Sequence, residues 1–173
     1  LEILRRAAPA HGWRLCVAHF NHQLRGRSSD ADVAFVRKTC RRLRLRCVVG
    51  RADVRRWAND NGLSIEMAAR QKRHAFLAGA ALRLGIRRVI LAHHADDQVE
   101  LFFLRLLRGA GPEALGGMRF TSASPADARV LLVHPLLGIT KADLEAFARE
   151  ERLAFREDAS NEDLAHERNR VRL

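Results

Sequence analysis

Two polar clusters stand where apolar runs stop, and their residue types could do chemistry. The first is His19-Phe20-Asn21-His22, followed by Arg25 and Gly26. The second is His93-His94-Ala95-Asp96-Asp97-Gln98, with Glu100 one turn further on. Imidazoles and carboxylates crowded at such points are poorly explained by packing, because a buried polar group costs free energy unless it is bonded. They offer a hold on a cation or contacts to an anion. Asp97 and Glu100 lie at i and i+3, share a helix face, and together suit a hydrated magnesium or an ammonium group. A helix N-terminus that simply favours acids accounts for Asp96 or Asp97, but less well for His93, His94 and Gln98 beside them. The spacing fits no zinc signature. Glu66, Arg70 and Arg73 form a third set, at i, i+4 and i+7. Alone they read as a solvated salt-bridge stripe. Facing a ligand edge, the two arginines would instead fork onto phosphate or carboxylate.

Alternating strands and helices position these clusters. Trp13 to Phe20 reads as a strand, and Ser29 with Asp32 as a capping box opening a helix whose apolar positions are Val33, Val36, Cys40 and Leu43. Arg46 to Gly50 is a second strand, and Val54 to Asn61 a short helix stopped by Gly62. Ser64 caps a long helix that runs to Leu84 and ends at Gly85. Arg88 to Ala92 is a buried strand, Asp96 to Arg108 a helix stopped by Gly109, and Gly109 to Ala128 a long loop. Val130 to Val133 is a further strand, after which Thr140 and Asp143 open a helix to about Arg152. Leu1 to Ala8 reads as the tail of a helix, and Leu164 to Leu173 as the start of another. This alternation predicts an α/β fold, a parallel sheet with helices on both faces. Ligands of such sheets bind past the carboxyl ends of the strands, where the two clusters lie.

Composition narrows the partners. The 173 residues carry a formal charge of +11, and every basic residue except Lys38, Lys72 and Lys141 is arginine. So strong a net excess favours a polyanion, nucleic acid ahead of anionic membrane. The run from Arg37 to Arg46, with Arg37, Arg41, Arg42 and Arg44 on it and no acid, is the RNA-contact candidate; a solvated helix face is the alternative. No apolar run approaches the roughly 20 residues that span a bilayer, and the first residues are no signal peptide, so a cytoplasmic location is expected. Cys16, Cys40 and Cys47 form no CxxC pair and read as reduced, structural thiols.

Taken in order, the motifs resemble those of the tRNA(Ile)-lysidine synthetases, within the N-type ATP pyrophosphatases. They are His19-Phe20-Asn21-His22-Gln23-Leu24-Arg25-Gly26; Glu66 with Ala69-Arg70 and Arg73; and Ala92 through Glu100. Arg105, Arg108-Gly109, Gly116-Gly117-Met118 and Pro135-Leu136-Leu137 follow, then Glu157 through Asn161 and Arg168 through Arg172. The chain departs from that pattern at His74, Leu101 and His134, where the family has Tyr, Thr and Arg. The last puts an anionic contact in doubt.

The resemblance implies an adenine nucleotide alpha hydrolase-like, Rossmann-like fold and an ATP- and magnesium-dependent enzyme of the cytoplasm. It would join L-lysine to the wobble cytidine of the isoleucine tRNA with a CAU anticodon, with a homodimer as the assembly to test. Asp97 and Glu100 would recognise lysine or, in the case of Asp97, magnesium. Arg70 and Arg73 would take the lysine carboxylate or phosphates, and His19, His22, His93 and Gln98 would line the nucleotide pocket. The alternatives are a related tRNA-thiolating enzyme and a basic RNA-binding remnant without activity. The resemblance also makes residues 1–173 an N-terminal catalytic domain truncated at both ends, with residues 163–173 leading into the next region. It places a Ser-Gly-Gly-x-Asp-Ser phosphate loop, with its strand, before Leu1. Residues 1–173 alone are therefore expected not to activate ATP.

Overall fold

Cys16, Val17 and Ala18, between Gly12 and the polar His19 cluster, pair as a strand with the Val-rich run that follows the first basic helix. In the computed structural model, which describes residues 1–156, β1 (Cys16–Asn21) and β2 (Arg46–Arg51) are parallel and in register from Cys16 opposite Arg46 to Asn21 opposite Arg51. The chain divides into two compact units, Leu1–Arg87 with Ser124–Val130, and Arg88–Ala123 with the residues from Leu131 onward. The motifs Glu157 to Asn161 and Arg168 to Arg172, and the helix expected over Leu164 to Leu173, lie outside the described residues.

In the first unit α1 (Glu2–His11) precedes β1, and α2 (Arg27–Arg42) connects β1 to β2. α3 (Val54–Asp60) and α4 (Ile65–Arg83) follow. The pleat shows which face each helix covers. Phe20 and Gly50 share one face, and there Phe76 of α4 lies 5.4 Å from the Phe20 ring. A Cβ at Gly50 would overlap the Phe76 ring, so glycine is required by this close approach. Asn21 lies on the opposite face and donates to Asp30 of α2 at 3.1 Å. Helices therefore cover both faces, as the strand–helix alternation predicts. Val54, Ala58 and Ala68 form a core packed against Phe20, Leu24, Trp57 and Leu63.

The second unit holds β3 (Arg88–Ile90), α5 (Ala95–Leu107), a 3-10 turn at Pro112–Leu115 and α6 (Lys141–Glu150). β4 (Thr121–Ser124) and β5 (Asp127–Val133), whose residues Ser124–Val130 count with the first unit, pair with β3 in a three-stranded sheet of order β3-β5-β4, with β3 and β5 parallel. Gly109 to Ala128 is thus no structureless loop. It contains the 3-10 turn and β4, which turns through Pro125-Ala126 into β5. The Thr-Ser-Ala-Ser run lacks an apolar alternation, and its strand exists because β5 offers a ladder to pair with.

Caps explain most boundaries. Ser64 accepts from the Met67 N–H at 3.2 Å, and Thr140 and Asp143 form the reciprocal capping box. The expected box at Ser29 and Asp32 does not form: α2 is capped three residues earlier, at Gly26 with φ +49°. Ser29 Oγ accepts from the Arg25 N–H at 3.2 Å, and Asp32 pairs with the Arg25 guanidinium at 2.8 Å. Both residues thus hold the preceding loop. Among the described residues no helix is long and apolar enough to cross a membrane.

Candidate active site

β1 carries His19 to its carboxyl end, and the chain turns there because Asn21 Oδ1 accepts from the Gln23 N–H at 2.8 Å, with Gln23 at φ +54°. Asn21 is itself buried and tied to α2, so the turn that presents His22 is fixed from below. The His22 ring stands perpendicular to Phe20 at 4.9 Å and donates to the Ala69 carbonyl of α4. Burial pushes the His22 imidazole below its ordinary value; Arg73, His19 and Arg25 nearby add to that, against the Ala69 bond. Burial also lowers His19, while Asp32 opposes it. His19, His22, Arg25 and Arg73 therefore gather at one strand end. A neutral imidazole amid cationic groups is a surface ready for an anion, and a phosphate would relieve the repulsion. Arg70 and Glu66, on the same helix, are exposed.

The second unit assembles the other cluster past β3. His94 makes a parallel bridge to Leu136, and the Ala95 N–H donates to the Ile139 carbonyl at 2.8 Å, so the strand end and the segment after β5 run side by side. α5 starts there. Asp97 accepts from the His94 N–H at 2.9 Å as its capping residue, and its carboxylate lies 3.5 Å from His94 Nε2. Asp97 is 8% exposed and Glu100 3%, which is rare for carboxylates unless they are paired. Asp96 lies 3.3 Å from His94 Nδ1. It accepts from the Lys141 N–H at 2.8 Å, and that bond chiefly holds its carboxyl below the usual range. His93 and the buried His134 follow adjacent parallel strands, with ring centroids 5.1 Å apart. His134 is the residue that sequence reasoning undervalued. The strand-end rule that selects His93 after β3 selects His134 after β5 equally.

Gln98, expected in the nucleotide pocket, has both polar atoms engaged by Met118: Oε1 accepts from its N–H at 2.6 Å, and Nε2 donates to its carbonyl at 3.1 Å. Arg37, Arg41, Arg42 and Arg44 are all exposed. Arg37 and Arg41 rim a cavity of 340 Å³ whose floor includes Cys40, Leu45 and Cys47. Among the described residues no three histidine, cysteine or acidic side chains group as a metal cage. Magnesium bound with a nucleotide needs only one or two carboxylates, the phosphates and water supplying the rest, and the pair Asp97 and Glu100 fits that demand.

The whole chain, residues 1–173, matches the family model described as the PP-loop domain. It is 42% identical over 91% of its length to a tRNA(Ile)-lysidine synthase of Geobacter sulfurreducens, and 33% identical over its full length to one of Clostridium acetobutylicum. A third, of Porphyromonas gingivalis, is 39% identical over 93%. The matched regions cover 32%, 36% and 34% of those proteins, so the chain spans about a third of their length. Among solved structures, the U34-tRNA thiolase NcsA from Methanococcus maripaludis with its 4Fe-4S cluster superposes at a TM-score of 0.69. That match has 15% identity and covers 97% of this chain and 59% of that one, a likeness of fold.

Proposed function

The chain belongs to the PP-loop domain family, and from that premise we propose that the protein carrying these residues is an ATP-dependent tRNA-modifying ligase that makes lysidine. The observation that carries the reading is the run of tRNA(Ile)-lysidine synthases matched at 33–42% identity over nine-tenths or more of the chain. The substrates are ATP, L-lysine and the CAU-anticodon isoleucine tRNA, met in the cytoplasm. In the first step the 2-carbonyl oxygen of the wobble cytidine attacks the α-phosphate of ATP; the bond to the β-phosphate breaks and pyrophosphate leaves. In the second, the lysine amine attacks C2 of the adenylated cytidine, its proton is lost, and AMP departs with the oxygen.

Each step asks for groups of the kind present. Phosphates need fixed positive charge, which Arg73 and Arg25 around His22 provide, with Arg70 on the same helix. An ammonium needs carboxylates out of water, as Asp97 and Glu100 are. Magnesium, when bound with ATP, would screen the phosphate charge, and Asp97 is its candidate ligand. The exposed Arg37, Arg41, Arg42 and Arg44 supply a salt-sensitive hold on the tRNA backbone. A homodimer belongs to the same reading and is tested by sedimentation.

The thiolase alternative would require reactive thiolates. Instead, burial raises the Cys16 thiol, and burial with a bond to Cys47 pushes Cys40 up to about 11. The direct test is ATP–pyrophosphate exchange in the full-length protein. Exchange that needs the CAU tRNA but not lysine supports the first step as written. Exchange that proceeds without tRNA overturns it.

A further inference from the structure

The structure assigns to Gln98 a positioning role: through the segment 114–120 it holds His134 against His93 at the strand-end site. This rests on reading that site as the reactive one. The Gln98 carboxamide meets Met118 as one residue of a ladder meets another, acceptor to N–H and donor to carbonyl. Only one orientation of the amide satisfies both, since the flipped group would set its NH2 against the Met118 N–H. Arg105, two turns further along α5, donates from Nη1 to the Ala114 carbonyl at 2.9 Å and also to the Gly116 carbonyl. Two side chains of one helix thus fix four backbone groups of the segment.

Gly117 lies between those anchors. A Cβ there would stand 2.8 Å from Gln98 Oε1 and 2.9 Å from Nε2, so the segment approaches the helix as closely as glycine permits. Beyond Met118 the chain is laced to His134. The Phe120 carbonyl accepts from the His134 N–H at 2.8 Å, and the Arg119 carbonyl lies 3.0 Å from its Nδ1. A carbonyl only accepts, so in this contact Nδ1 is the protonated, donating nitrogen. His134 is 5% exposed, and its ring faces that of His93. A displacement at Gln98 is therefore transmitted along the three residues Met118 to Phe120 to an imidazole one residue past the last paired residue of β5, beside the start of α5.

The test uses the full-length protein and compares Gln98→Ala, Gly117→Ala and the double variant. Three readouts are the exchange rate of the Met118 amide, the ring resonances of His134, and the kcat and KM of ligation. Loss of one bonded partner should speed Met118 exchange about tenfold and lower kcat by a similar factor, with KM for ATP and lysine little changed. His134 should shift in both single variants. Because the Gly117→Ala overlap is with the Gln98 side chain, the double variant should be no worse than Gln98→Ala alone. Unchanged Met118 exchange and unchanged His134 resonances in Gln98→Ala would overturn the proposal. So would a raised KM for ATP at constant kcat, which would mark Gln98 as a direct nucleotide contact. Exchange and resonance require no turnover, so they judge the segment even if the protein makes a product other than lysidine.

Discussion

Asp97 does two things that a single substitution confuses. Its carboxylate caps α5 through the His94 N–H, and under the function proposed above it is one of two buried acids that receive the lysine ammonium. Asp97→Asn keeps an oxygen for the cap and removes the charge, whereas Asp97→Ala removes both. We predict that both lose ligation by roughly a hundredfold or more, and that only Asp97→Ala also loses about 1 kcal/mol in denaturant unfolding. Ligation within a few-fold of wild type in Asp97→Asn removes the carboxylate from lysine or metal recognition. His22 makes a different prediction. Its imidazole is depressed mainly by burial, then by Arg73. The folded chain therefore refuses a proton that the unfolded chain accepts as pH falls below the ordinary histidine value. Stability should decline with acidification through that window, and His22→Gln should flatten the decline in a series of thermal melts. At this scale the sequence was readable where residue type met strand end, as at His93 and Asp97. It was not readable at Gln98 or Asp96, whose partners Met118 and Lys141 are 20 and 45 residues away.

The elements carry predictions about packing and about RNA. Gly50 lies in a strand where a side chain would be ordinary, yet the Phe76 ring occupies the space of a Cβ. Gly50→Ala should cost about 1–3 kcal/mol through overpacking, read from the denaturation midpoint. Nothing in the β2 sequence announces that contact, because Phe76 comes from α4. The basic end of α2 was legible, since exposure follows from a charge run on one helix face. Reversing Arg41 and Arg42 to Glu should weaken tRNA binding and lower the slope of log K against log salt by about 2. An unchanged slope would take this surface out of the interface. Capped helices such as α4 and α6 began where Ser64 and Thr140 indicated, because those caps are local. β4 was hidden, because its pairing with β5 and not its composition makes it a strand. α5 presents Val99, Phe102, Phe103, Leu106 and Leu107 outward, Leu107 at 75% exposure, so its apolar pattern marks more than the face turned to its own unit.

For the molecule as a whole, the parallel ladders, the helices on both faces of β1 and β2, and membership of the PP-loop family followed from alternation and ordered motifs. The order β3-β5-β4 did not, because pairing across long sequence separations leaves no local trace. The three cysteines separate the two enzyme classes at this scale. With Cys40 held up to about 11 and Cys16 also raised, first by burial, neither of these two is poised as a nucleophile. Changing Cys16, Cys40 and Cys47 together to Ala should lower stability through lost packing but leave lysine-dependent ligation in place. Loss of ligation in a folded triple variant would favour sulfur chemistry. The most direct measurement is the fate of labelled lysine. The full-length protein is incubated with ATP, magnesium, labelled lysine and the CAU-anticodon isoleucine tRNA, and the tRNA is digested to nucleosides. Label should appear on the wobble cytidine, with AMP released in equal amount, and both should fall by roughly a hundredfold or more with Asp97→Asn. A tRNA that gains sulfur, or that gains nothing while the folded protein still binds it, would contradict the assignment.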